Sequence, residues 1–130
     1  MKKIALLVSA TLFLLTGCDL TAEYGKKVKI NDSLEIYVKG DNVTEAEGKK
    51  LGNYLAELWK DAANMKSLQL SKDAEGYVVR MVVDEKMVIR DPSLNASFSA
   101  VKTLLETEVF NGSKVKFIIT DNKFSDIRSY

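Results

Sequence analysis

From Leu34 the chain alternates strictly, with Leu34, Ile36 and Val38 apolar and Glu35, Tyr37 and Lys39 between them. A period of two predicts a strand with one buried face. Gly40-Asp41-Asn42 breaks the strand, and Thr44 with Glu47 three residues on is a capping-box signal opening a helix to about Asn64. On that helix Leu51, Tyr54, Leu55, Leu58, Trp59, Ala62 and Met65 fall in one stripe, the face expected to pack on a sheet. Beside the stripe runs a row of small residues spaced by four, Gly48, Gly52 and Ala56. The row predicts close approach of the helix to its neighbours, with a helix-to-helix dimer contact as the alternative.

The same patterns continue along the chain. Val28–Ile30 predicts a short strand ahead of an Asn31-Asp32-Ser33 turn, and Leu68 and Leu70 alternate with Ser67, Gln69 and Ser71 in another. Lys72–Gly76 is a polar hairpin turn, and Tyr77–Val83 is apolar on both faces except at Arg80, as a central strand would be. Asp84-Glu85 reads as a turn and Met87–Ile89 as an extra short strand. Asp91 then Pro92 open a second helix through Leu94, Phe98, Val101, Leu105 and Val109, which stops at Asn111-Gly112. Lys114–Thr120 is a last strand with Val115, Phe117 and Ile119 inward, and Asp121–Tyr130 reads as a polar, loosely held tail.

Between residues 34 and 120 the order is strand, helix, strand, strand, helix, strand. It is similar to the ferredoxin-like split βαβ plan, an α+β sandwich in which an antiparallel sheet carries two helices on one face. The resemblance lies in element order, not in a motif, so it implies a fold and no activity. Val28–Ile30 is then one extra N-terminal strand on a single domain spanning residues 27–130.

That plan leaves one sheet face without a helix. By alternation this face carries Glu35, Tyr37, Lys39, Ser67, Gln69, Val78, Arg80, Val82, Lys116 and Ile118. Val78, Val82 and Ile118 at its centre, ringed by Tyr37, Gln69, Arg80 and Lys116, predict a small apolar patch with a polar rim. Such a patch fits a protein partner or a second copy of the chain. Substituting Arg80 or Val82 with Glu is expected to abolish docking there with little effect on melting. The bland alternative is a face covered by the tail or simply wet.

Upstream lies a different pattern. Lys2 and Lys3 precede an apolar run of 12 residues, Ile4–Leu15, which has the length of a secretion signal and is short of the roughly 20 residues that span a bilayer. The run closes on Leu15-Thr16-Gly17-Cys18, which resembles the lipobox of bacterial lipoprotein precursors at all four positions. The resemblance implies cleavage after residue 17, a diacylglyceryl thioether on Cys18 and a further acyl chain such as palmitate on the new amino terminus. Residues 18–26 are then a lipidated cysteine and a short tether, and the domain sits in the cell envelope outside the cytoplasm, anchored to a membrane. Asp19 resembles the enterobacterial signal for retention at the periplasmic face of the inner membrane.

Composition narrows the chemistry further. Loss of Lys2 and Lys3 with the leader leaves 17 basic against 18 acidic residues, a net charge of −1 that recruits neither nucleic acid nor anionic lipid. Cys18 is the single cysteine and there is no histidine. Disulfides within the chain, Ser-His-Asp and Cys-His machinery, and the usual zinc ligand sets are therefore excluded. No spacing matches a calcium loop, a phosphate-binding glycine loop or a dinucleotide fingerprint, so no metal or cofactor is assigned. The expected function is a non-catalytic, membrane-anchored interaction or accessory module working through the open face. Two alternatives stand beside it. One is an envelope hydrolase or transferase built on carboxylates, Lys and Tyr, which needs two acids whose environments separate their pKa values. The other is capture of a small ligand or cation by the polar loops at Asp41 and Asn42 or at Asp121 and Asn122.

Overall fold

The computed structural model describes residues 23–61 and 66–130. The lipobox, Asp19 and most of the tether lie outside the described residues, as do Ala62 and Met65 of the expected helical stripe. Among the described residues no helix is long and apolar enough to cross a membrane.

Alternation becomes a mixed sheet of six strands. In chain order they are β1 (Lys26–Asn31), β2 (Leu34–Val38), β3 (Lys66–Lys72), β4 (Tyr77–Val82), β5 (Val115–Thr120) and β6 (Asp126–Ser129). Helix α1 (Glu45–Leu58) joins β2 to β3, while α2 (Glu85–Arg90) and α3 (Ser93–Leu104) join β4 to β5. The last helix runs on into one π-helical turn, Leu105–Val109. The architecture is α+β.

Registration across the strands sorts the residues by face. Val28, Ile36, Leu68, Met81 and Ile119 are successive partners in one row, and Val38, Leu70, Val79 and Phe117 in the next. Both rows are buried beneath the helices, with Leu51 and Leu55 from α1 and Phe98, Val101 and Leu105 from the second connection. Full burial of each large aliphatic contributes about 1.5 to 3 kcal/mol.

The split ferredoxin-like order is not the one found. Strands lie side by side in chain order, and β2–β3 and β4–β5 are parallel neighbours. The added strand accounts for the place of β5. β1 pairs with β2 through the tight Asn31–Ser33 turn, and so occupies the edge that the split plan reserves for the final strand. β5 pairs instead on the far side of β4. A second consequence concerns handedness. The β2–β3 and β4–β5 pairs run in opposite directions and step the same way across the sheet, yet α1 and α3 cover the same face. Two such crossovers have opposite hands, so one breaks the usual right-handed rule.

Three local expectations also change. Met87–Ile89 is helical, because Asp84 caps α2 by accepting from the Lys86 amide (3.0 Å), and the sheet edge beside β5 is filled by β6. The tail is not loose: β6 pairs with β5, and the side-chain oxygen Oδ1 of Asn95 on α3 accepts hydrogen bonds from the Tyr130 hydroxyl (2.5 Å) and Arg128 (2.9 Å). Helix α1 ends at Leu58, which is 42% exposed. Its buried face is Gly48, Leu51, Gly52 and Leu55, turned toward the glycine row. A Cβ at Gly48 would lie 2.6 Å from Val38 Cγ2, and one at Gly52 2.3 Å from Ile30 Cδ1. Close approach to the sheet is thus what the small residues provide. The capping box at Thr44 and Glu47 forms as read from the sequence.

Candidate functional site

Opposite the helices the sheet carries the side chains that alternation assigned to it. Tyr37, Gln69, Arg80 and Ile118 are successive partners across β2 to β5, with Glu35–Ser67 and Val78–Lys116 in flanking rows. The expected apolar patch, however, is not presented to solvent. Val78 and Ile118 are only 5% and 6% exposed, and Val82 is half-buried. The cause is a polar bridge. Arg80 on β4 reaches across β5 to Asp126 on β6, Nε to Oδ1 2.7 Å, and so passes over the strand that carries Ile118. Lys116 turns to the hairpin end, 3.2 Å from both Asp73 and Glu75. Its hydrogen bonds to these carboxylates hold the ammonium above the ordinary lysine range.

The β2 side of the face is covered by two segments that strand patterning does not place there. Gln69 is 3% exposed and donates from Nε2 to the Tyr24 carbonyl (2.9 Å), which lays the start of the domain across the sheet. From the other side comes the β5–β6 loop. Asp121 Oδ1 ties this loop by accepting from the Lys123 and Ser125 amides (2.8 and 3.0 Å). The rings of Tyr24, Tyr37 and Phe124 then meet edge to face, with centroids 5.5 to 6.1 Å apart, a geometry favoured by the ring quadrupoles. Burial and the neighbouring Glu35 carboxylate push the Tyr37 phenol up. Phe124 holds φ at 58°, in the left-handed region that bulky residues avoid.

Between these covering segments lies a cleft of about 620 Å³. Tyr24 and Phe124 supply its aromatic wall, Lys39, Lys72, Arg80 and Lys123 its positive charge, and Gln69, Ser71 and Asn42 its neutral polar groups. Glu23 and Asp126 also line it. Of the residues expected to bind, the cleft takes in Gln69 and Arg80 directly, and Tyr37 through the aromatic trio. Val78, Val82, Lys116 and Ile118 share the face but do not line the cleft. Sequence reading missed Tyr24, Lys123, Phe124 and Asp126. The available signal was an isolated aromatic in each of two polar segments, Thr21–Lys27 and Asp121–Arg128, where an exposed ring has little reason to be.

One side chain in each of the two loops considered for cation capture is engaged within the protein. Asn42 donates to the Lys72 carbonyl (2.8 Å), and Asp121 spends its carboxylate on its own loop, whose amides hold that acid below the usual range. Among the described residues no three His, Cys, Asp or Glu side chains converge on a point where a metal ion would sit.

No curated protein and no solved structure matches the chain. The model of the AF_1994_N family N-terminal domain matches residues 27–129, a span that runs from the second residue of β1 to the last of β6 and includes every strand and helix described above. The chain belongs to the AF_1994_N family.

Proposed function

We propose that this protein is a lipid-anchored binding module of the bacterial cell envelope, and that its site is the cleft on the helix-free sheet face. The observation that carries the reading is the path of the chain. Glu23 and Tyr24 form part of the cleft wall, and Cys18, in the lipobox position, is only five residues further back. Anchor and cleft are therefore neighbours, and the site works on what the membrane surface presents to it.

The lining favours binding over chemistry. Acid–base catalysis by carboxylates needs two acids in one cleft with separated pKa values. Here Asp126 is paired with Arg80, and Glu23 stands exposed at the rim. Lysines, amides and aromatic rings around a concave space are the equipment of a recognition site.

Palmitate labelling of the intact protein tests the anchor, with Cys18→Ser as the control. The label should be lost and the protein should leave the membrane fraction. A photoreactive residue at position 123, in the cleft, should form adducts in native membranes that one at position 60 does not. Equal adducts at both positions, or unchanged fractionation of Cys18→Ser, would sink the reading.

A further inference from the structure

We propose that the cleft holds the phosphate-bearing headgroup of an anionic phospholipid, an inference that rests on the anchored reading above. The first support is reach. Four residues separate Glu23 from Cys18, and the five steps between them, at about 3.3 to 3.6 Å per extended residue, span no more than about 18 Å. Acyl chains on Cys18 hold the cleft beside the headgroup layer of the membrane they enter.

The second support is charge. Lys39 follows the end of β2 and Lys123 sits in the β5–β6 loop, so two ammonium groups flank the same space from different elements. Among the described residues neither they nor Lys72, which also lines the cleft, is paired with a carboxylate. Arg80 adds a guanidinium whose charge Asp126 already offsets. Against Glu23 at the rim the cleft keeps a local excess of positive charge, on a chain whose overall balance is near neutral, and sets it beside neutral donors, the complement of a phosphodiester.

The third support is the wall. A simple anion has no use for aromatic surface, but Tyr24 and Phe124 offer it to the glycerol and first methylenes of a lipid. Phe124 keeps its ring there from a backbone conformation that persists only where surrounding contacts fix it, and such residues cluster at ligand clamps.

The test uses the native acylated protein in nanodiscs of phosphatidylcholine, with or without phosphatidylglycerol. Lysine acetylation is read by mass spectrometry, and a third arm adds inorganic phosphate to the phosphatidylcholine discs. Phosphatidylglycerol should lower the reactivity of Lys39 and Lys123 several-fold. It should leave Lys60 and Lys86, which do not line the cleft, unchanged. Protection by inorganic phosphate to the same extent would overturn a lipid source, and uniform protection of all four lysines would overturn a built site. The same spectra report the Cys18 peptide. Acylated Cys18 with unchanged Lys39 and Lys123 reactivity overturns the headgroup site alone. An unmodified thiol overturns the anchored reading and the headgroup site with it.

Discussion

The Tyr77 hydroxyl donates a hydrogen bond to Glu47, the same carboxylate that closes the capping box at the start of α1. Thirty residues apart in sequence, the two join the first residue of β4 to the first turn of the helix, with the Tyr77 ring stacked on Phe110 (centroids 4.0 Å apart). Glu47 thereby serves a local and a long-range partner at once.

Removing the hydroxyl separates these roles. Tyr77→Phe keeps the stacking and the capping box and should lower stability by about 1 kcal/mol, the net worth of a partly exposed hydrogen bond. The pH dependence is more diagnostic. The bond to Glu47 and burial push the Tyr77 phenol up to about 12. A raised phenol contributes stability that is complete below the ordinary tyrosine value near 10 and is lost as pH rises toward 12. Burial raises the Glu47 carboxyl, but hydrogen bonds from Tyr77 and Thr44 outweigh it and hold the acid low. That share is complete above the ordinary carboxyl range and is lost as pH falls through it. Denaturant melts from pH 9 to 12 should show a shallower alkaline decline in Tyr77→Phe than in the native protein, with the raised Tyr37 phenol accounting for part of what persists.

Gly52 has no room for a side chain. A Cβ there would sit 2.3 Å from both Cδ1 and Cγ1 of Ile30 and 3.3 Å from Ile36. Gly52→Ala gains about 1 kcal/mol in helix propensity and loses about 1 to 3 kcal/mol to overpacking. The net expectation is a lower melting temperature. Adding Ile30→Ala to Gly52→Ala should cost less than the two single changes summed, and simple additivity would show that the contact is not the cause.

Arg80 does more than rim a binding surface. Its side chain is one-quarter exposed and its link to Asp126 crosses β5. Arg80→Glu therefore lowers stability as well as binding, contrary to the neutrality expected from an uncovered face. Each charge reversal should cost about 1 kcal/mol or more, and Arg80→Glu with Asp126→Lys should recover most of it, giving a coupling near 1 kcal/mol in a thermodynamic cycle.

Asn95 secures the end of the chain. Its side-chain oxygen accepts from both Tyr130 and Arg128, so Asn95→Ala strands two donors at the sheet edge. A loss of about 1 to 2 kcal/mol is expected. Amide hydrogen exchange should accelerate in β6 far more than in β3 or β4. Uniform acceleration would instead mean that the residue supports the whole core.

Much of the site was legible in the wrong form. Alternation alone put Tyr37, Gln69, Arg80 and Lys116 on one face, and the structure keeps them there. It gave no sign that Asp126 would draw Arg80 over Ile118, or that Tyr24 and Phe124 would fold in from both ends of the domain. Arg80 and Asp126 are 46 residues apart and Tyr24 and Phe124 are 100, and no local period encodes contacts at such separations.

By itself the sequence determined what depends on near neighbours along the chain. Period-two alternation set the faces of β2, β3 and β5, the Thr44–Glu47 box set the start of α1, and Asn111-Gly112, at φ 53° and 90°, set the end of the second helical connection. Only the tertiary structure decided which strands are neighbours, because a buried face is satisfied equally well in a split or a sequential order. The choice fell to a competition for one edge of β2. The short turn to β1 wins it, since closing a two-residue turn costs far less chain entropy than bringing β5 back across the sheet.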